Sequence, residues 1–309
     1  MQFSRKTFLT SLAGLAASTA LPLQASSPTR RYEATPFSFC LNTSTIMGQA
    51  LPLMEELDIA AQAGYDGIEI WIRSLEKHVQ EGGSLADVRK KASDLGLRIE
   101  NAIGFAQWIV DDHDTRTQAL EQAKREMDML AQVGCHRIAA PPAGATKQAG
   151  LDLNKAAERY RALCEVGESM EVQPQLEVWG FSQNLSRLSE VLYVAAESGF
   201  GDVKILPDVY HLYKGGSDAD GLSLIHPKRM EIFHLNDYPD IPNDQIQDAD
   251  RVYPGEGKAP ISSILNMISS EEYPTILSLE LFNRDYWKMP ALEAAKKGLD
   301  AMKKVVGAQ

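Results

Sequence analysis

Cysteine is scarce. Cys40, Cys135 and Cys164 are the only three in 309 residues, widely spaced and without a C-x-x-C pair. That excludes a cysteine zinc site or a disulfide scaffold and leaves at most one disulfide open. Positive charge is scarce too. Thirty-one Lys and Arg stand against 42 Asp and Glu, a net charge of −11, so the basic footprint that nucleic-acid backbones require is missing. No G-x-G-x-x-G follows any β-rich run, which argues against a dinucleotide-binding open sheet. The composition that remains, 44% apolar and 24% charged, is that of a globular protein and not of a disordered or multi-span membrane chain. Its length suits one (β/α)8 barrel or two smaller domains.

The N-terminus reads as a processing segment and not as part of the fold. Arg5 and Lys6 precede the acid-free apolar run FLTSLAGLAASTALPL, followed by QASS. A charged start, an apolar stretch of that length and small residues after it are the marks of an export signal, cut after Ala25. The run is too short and too polar for a membrane span, and no Cys follows it to carry a lipid. The flank SRKTFL resembles the twin-arginine motif S-R-R-x-F-L but departs from it at Lys6, which leaves ordinary Sec export open. The expected organisation is a leader over 1–25, a lead-in over 26–36 and one barrel domain over 37–309, in an exported, periplasmic protein.

A repeated phrase organises the rest: an amphipathic helical stretch, a Gly, then a β-rich run. It appears as AAQAGYDGIEIWI, ASDLGLRIENAI, LAQVGCHRIAAPP and AAESGFGDVKILPD. Gly64, Gly96, Gly134 and Gly199 fall where a helix C-terminus needs a left-handed residue; the helix ending at Met170 leads on without one. Strands are expected in FSFCLNTS, GIEIWI, RIENAIGF, HRIAAPP, VQPQLEVW, VKILPDVY, MEIFHLND and TILSLELF. Helices are expected over 52–63, 85–95, 115–133, 155–170, 185–198, 222–228, 261–269 and 291–306. Eight of each predicts an α/β fold, a closed (β/α)8 TIM barrel of parallel strands.

In such a barrel the C-terminal strand ends carry the chemistry. The last four strands end near Glu177 in QLEVW, Asp208 in LPDVYH, His234 in FHLND and Glu280 in LELF. Three carboxylates and an imidazole suit one divalent ion, Mn²⁺ first, with Co²⁺, Mg²⁺ or Zn²⁺ as alternatives. The competing reading pairs each carboxylate with a nearby Arg or Lys at the barrel mouth. Four such groups among Leu, Ile, Val and Phe would be costly without a counter-ion.

With these residues in place, the chain resembles the xylose-isomerase-like sugar isomerase/epimerase superfamily, which includes tagatose and psicose 3-epimerases, inosose dehydratases and endonuclease IV. The resemblance runs from GQALPLMEELDIAAQAGYDGIEIW to LELFNRDYW. It implies that Glu177, Asp208, His234 and Glu280 bind the metal, that His211 in D-x-x-H binds substrate, and that Arg251 before PGEG contacts a substrate oxygen. It further implies proton abstraction next to a carbonyl through a metal-stabilised ene-diolate, with Glu177 and Glu280 as the catalytic pair. Two departures stand out. Thirteen residues separate HLND from Arg251, and VWGFSQN lacks the further Glu that ketose epimerases carry after the fifth strand. A lyase acting by β-elimination on a 3-keto-glycoside or inosose, or a sugar-binding barrel without catalysis, are the alternatives. The endonuclease branch needs more histidines than the six present.

Other candidates rest on position alone. Glu69 in GIEIW lines the pocket or pairs with a basic neighbour. Asn42 and Thr43 end the first strand within reach of substrate hydroxyls. Asn236 and Asp237 contact substrate or form a turn. Trp71, Trp108, Trp179 and Trp287 sit at or beyond strand ends, where aromatic faces suit sugar C–H faces. Lys204 lies too low in the barrel for Schiff-base chemistry. PGEG lacks the Lys and Ser/Thr of a P-loop, so the expected partner is a small non-phosphorylated sugar, with no nucleic acid and no stable membrane anchor; a homo-oligomer stays open.

Overall fold

A computed structural model describes residues 36–307. The expected leader and nearly all of the lead-in lie outside the described residues. Eight parallel strands follow one another: β1 (Phe37–Asn42), β2 (Gly67–Trp71), β3 (Arg98–Ile103), β4 (Arg137–Ala140), β5 (Gln173–Glu177), β6 (Lys204–Leu206), β7 (Ile232–Leu235) and β8 (Thr275–Leu279). Ladders join them as β3-β2-β1-β8-β7 and as β4-β5-β6. At one seam Asp208 bridges to His234 in parallel, with the His234 N–H donating to the Pro207 carbonyl at 3.0 Å. At the other, Arg137 Nη1 donates to the Glu100 carbonyl at 3.1 Å. The result is the expected TIM barrel.

The outer layer comprises α1 (Leu53–Ala63), α2 (Ile72–Gln80), α3 (Leu85–Asp94), α4 (His113–Val133), α5 (Leu153–Met170), α6 (Leu188–Glu197), α7 (Val209–Lys214), α8 (Ile261–Ile268) and α9 (Ala291–Val306). Helix α4 shows how sequence dictates an element. The Asp112 carboxylate accepts from the Thr115 N–H at 2.8 Å to start it; Ala119, Ala123, Met127 and Leu130 bury one face; Gly134 at φ 81° ends it. Where α5 ends without a glycine, Glu171 adopts the left-handed conformation itself, at φ 56°.

Three expectations change. The helix expected over 222–228 is instead two 3-10 turns, Ala219–Leu224 and Pro227–Arg229, because Pro227 supplies no N–H to continue a helix. Helix α2 was not expected; it follows β2 directly and buries Ile72 and Leu75. The sixth strand stops at Leu206 rather than running through Tyr210, since the Asp208 carboxylate accepts from the His211 N–H at 2.8 Å and starts α7.

Alternate strand residues face inward. A small inner cluster that includes Cys40, Ile103, Ala139, Leu206, Ile232 and Ile276 lies apart from the large core between strands and helices. All three cysteines are buried and free, so the one disulfide left open by the sequence does not form. Among the described residues no helix is long and apolar enough to cross a membrane.

Candidate metal centre

Above that inner cluster the barrel turns polar. Asn42, Glu69, Asn101, Glu177, Asp208, His234, Ser278 and Glu280 are all at most 4% exposed. They sit in or directly after strands, so the sheet fixes where each side chain points. His234 occupies the middle. Its Nδ1 lies 3.3 Å from Glu280 Oε2, 3.6 Å from Asp208 Oδ2 and 3.8 Å from Glu177 Oε1. Candidate ligand atoms of Asp208, His234 and Glu280 fall within 4.8 Å of one another; Glu177 stands at the edge of that group.

The far side of the imidazole is held firmly. His234 Nε2 lies 3.1 Å from Glu69 Oε1. Glu69 also accepts from Asn42 Nδ2 at 2.8 Å, Asn101 Nδ2 at 2.6 Å and Ser278 Oγ at 2.5 Å. A carboxylate behind the imidazole sets its tautomer, leaving Nδ1 bare toward the other three acids. Neither His234 Nδ1 nor Glu177 Oε2 has a hydrogen-bond partner, although both are buried. Unpaired buried acceptors of this kind are costly unless something binds them. One imidazole nitrogen and three carboxylates, with those two atoms unspent, fit a divalent cation.

Arg251 closes the mouth. It is 1% exposed, and its Nη1 donates to Asp208 Oδ2 at 3.0 Å and Glu280 Oε2 at 2.8 Å. Its Nη2 donates to Asp248 Oδ1 at 2.6 Å and stands 3.2 Å from His211 Nε2. The pairing of acids with an Arg, weighed against a metal in the sequence, thus exists for Asp208 and Glu280 but does not reach Glu177. His211 is set by the D-x-x-H spacing, which brings its N–H onto Asp208 and its Nδ1 to 3.3 Å from the Gly180 N–H. Burial holds His211 below the ordinary imidazole range, against the pull of Asp208.

The electrostatics follow from burial and neighbours. Burial drives the Glu177 carboxyl well up, with the Glu280 and Glu69 charges adding to it. Burial pushes Glu280 the same way, but the adjacent His234 imidazole and the Arg251 charge prevail and hold it below the usual range. Burial works likewise on Asp208, and Arg251 and His211 outweigh it to hold the group strongly ionised.

Two sequence candidates lie elsewhere. Trp108 is 1% exposed; its ring packs on Tyr160 and its Nε1 donates to the Pro141 carbonyl at 2.8 Å, so its ring and its N–H are both spent on the wall. Asp237 is consumed by the PGEG turn: Oδ2 accepts from the Gly255 and Gly257 N–H groups, both at 3.0 Å, and Oδ1 from Ala259 at 2.9 Å. A Cβ on Gly257 would lie 2.3 Å from Asp237 Oδ1, which explains the glycine. Asn42 and Glu69 are inside the site, but they position other side chains. Four contributors were missed: Asn101, Ser278, Asp248 and the structural use of Asn236, whose Nδ2 donates to Asp208 Oδ2 at 3.0 Å. Asn101 and Ser278 had a signal, as polar residues inside apolar strands. Trp287 binds the Ser44 carbonyl through Nε1 at 2.9 Å, and Lys204 pairs with Glu231 at 2.7 Å.

The pattern of the xylose isomerase-like TIM barrel family matches residues 57–305. The chain belongs to that family. Among relatives, an inosose isomerase of Bacillus velezensis is 26% identical over 86% of this chain and 96% of its own. A 3-dehydroshikimate dehydratase of Pseudomonas aeruginosa is also 26% identical, over 81% of this chain and 39% of its own. The solved structure of an IolI protein with a bound zinc atom superposes with a TM-score of 0.82, at 21% identity, over 88% of this chain and 98% of that one. Family members of this kind are enzymes, isomerases and dehydratases alike.

Proposed function

We propose that this barrel is a divalent-metal-dependent isomerase or epimerase of a non-phosphorylated ketose or keto-sugar, acting in the periplasm after export. The observation that carries the reading is the bare His234 Nδ1, held from behind by Glu69 and faced by Glu177, Asp208 and Glu280. Those four would hold the ion, and the carboxylate-rich set favours Mn²⁺. When bound, the cation supplies Lewis acidity that stabilises negative charge developing beside a carbonyl.

The chain's own groups do the rest. Glu177 on β5 and Glu280 after β8 approach from different walls, so one can take a proton from carbon and the other return it on another face. Asp208 and His234 are ligands only. Arg251 and His211 stand beside them to hold substrate oxygens. A non-phosphorylated substrate is supported by the PGEG turn, whose Gly255 and Gly257 amides are already spent on Asp237.

A second reading is favoured by one finding, the dehydratase among the relatives. Removal of the same proton, followed by loss of a group β to the carbonyl, makes the reaction a lyase. The test is to change Glu177→Gln and Glu280→Gln separately and follow solvent deuterium entering a panel of ketoses by NMR. Exchange should collapse in at least one variant; undiminished exchange in both refutes the two-glutamate mechanism. An unsaturated product in place of inversion decides for the lyase.

A further inference from the structure

Outside the carboxylates, the barrel mouth is walled by aromatic rings. Phe282 meets Trp71 edge-on at 6.2 Å, Trp71 meets Phe105 at 5.3 Å and Phe105 meets Trp179 at 6.0 Å. Trp179 meets Phe181 at 5.1 Å, and Phe181 reaches His211 at 5.6 Å. Both ends of this arc touch the metal centre. The Arg251 guanidinium lies 5.1 Å from the Phe282 ring, Trp71 Nε1 donates to Asn42 at 3.2 Å, and His211 is itself in the site. The middle of the arc opens to solvent: Phe105 is 39% exposed and Phe181 42%, an uncommon cost for two large apolar side chains in one wall.

We propose that Phe105, Trp179 and Phe181 form a subsite for a second, non-reacting sugar ring, so that the preferred substrate is a disaccharide-sized glycoside and not a free monosaccharide. The inference rests on the keto-sugar reading above and names its substrate class. The centre and the arc divide the work. The carboxylates, His234 and Arg251 lie at the centre, where oxygens are held and a proton moves; on the arc, Arg73 covers the Trp71 ring at 4.1 Å, clear of the three rings of the subsite. The outer wall offers ring faces, which match the apolar C–H face of a pyranose while its hydroxyl edge stays in water. Phe105 and Trp179 are tilted by 49°, and Trp179 and Phe181 by 31°, so the three rings present faces in different directions to a puckered ring. A flat aryl group would call for a parallel slot.

The experiment titrates the intact protein with cellobiose, maltose, lactose and trehalose, against glucose and phenyl glucoside, reading tryptophan fluorescence. None of these needs to react, so the outcome is independent of whether the deuterium-exchange test succeeds. At least one disaccharide should bind about tenfold tighter than glucose. Phe105→Ala and Phe181→Ala should each cut that ratio about fivefold, and Phe181→Trp should restore it. The proposal is overturned if no disaccharide exceeds glucose, if phenyl glucoside binds tighter than every disaccharide, or if the alanine variants leave the ratio unchanged.

Discussion

Glu56 offers a direct test of the electrostatic argument outside the metal centre. It lies on α1, 6% exposed, with an Oε2 that no group hydrogen-bonds. Arg73 and Lys77 share its cavity of about 300 Å³ together with Thr43, Met47 and Trp71. Burial raises its carboxyl from 4.5 to about 7, and the Arg73 and Lys77 charges only partly oppose this. The folded chain therefore keeps a proton that the unfolded chain gives up at lower pH. The stability this confers is fully present below about 4.5 and is lost as pH rises to about 7. At about 1.4 kcal/mol per tenfold change in proton affinity, the loss is about 3 kcal/mol. Glu56→Gln mimics the protonated side chain and abolishes the dependence. Urea unfolding of both proteins at pH 4.5 and pH 8 should show the variant gaining about 3 kcal/mol on the parent between the two, on the order of 6 °C in melting temperature. Groups common to both proteins cancel in that difference. Parallel pH profiles would refute the reasoning.

Glu69→Gln keeps the shape behind His234 but removes the charge, and should weaken divalent-metal affinity about 10–100-fold in a chelator competition; equal affinity would show that Glu69 does not tune the imidazole. Gly180→Ala places a Cβ 2.3 Å from the His211 carbonyl and 2.6 Å from the Gly215 amide, both backbone atoms. It should cost about 1–3 kcal/mol in chemical denaturation, and a variant as stable as its parent would mean that α7 can move away freely.

Much of the barrel was legible because local chemistry and global fold agree. Gly64, Gly96, Gly134 and Gly199 all have positive φ, and each precedes a strand. Glu177, Asp208, His234 and Glu280 were readable as charges at the ends of apolar strands, and they converge because neighbouring parallel strands place those ends together. Long-range geometry was not legible. Asp237 comes three residues after the central histidine, yet it is spent on amides at 255–259, beyond a loop whose path the sequence does not define. Trp108 lies beyond the end of β3, as Trp71 closes β2, but the packing of α5 decides that it faces Tyr160. Asn101 enters the site through a register shift between β2 and β3 at Ile68/Glu69, which breaks simple alternation. Phe105 and Phe181 belong to loops, where no periodicity marks an inward face.

The free cysteines have a consequence for where the folded molecule can persist. Burial raises the thiol of Cys40 well above the ordinary range, and those of Cys135 and Cys164 to about 12. At neutral pH almost no thiolate forms, and thiolate is the nucleophile that reacts with oxidants and attacks disulfides. The native barrel neither requires an oxidant to mature nor loses a cross-link in a reducing medium. Once formed, that native state is indifferent to redox poise, because it holds no cross-link to gain or lose.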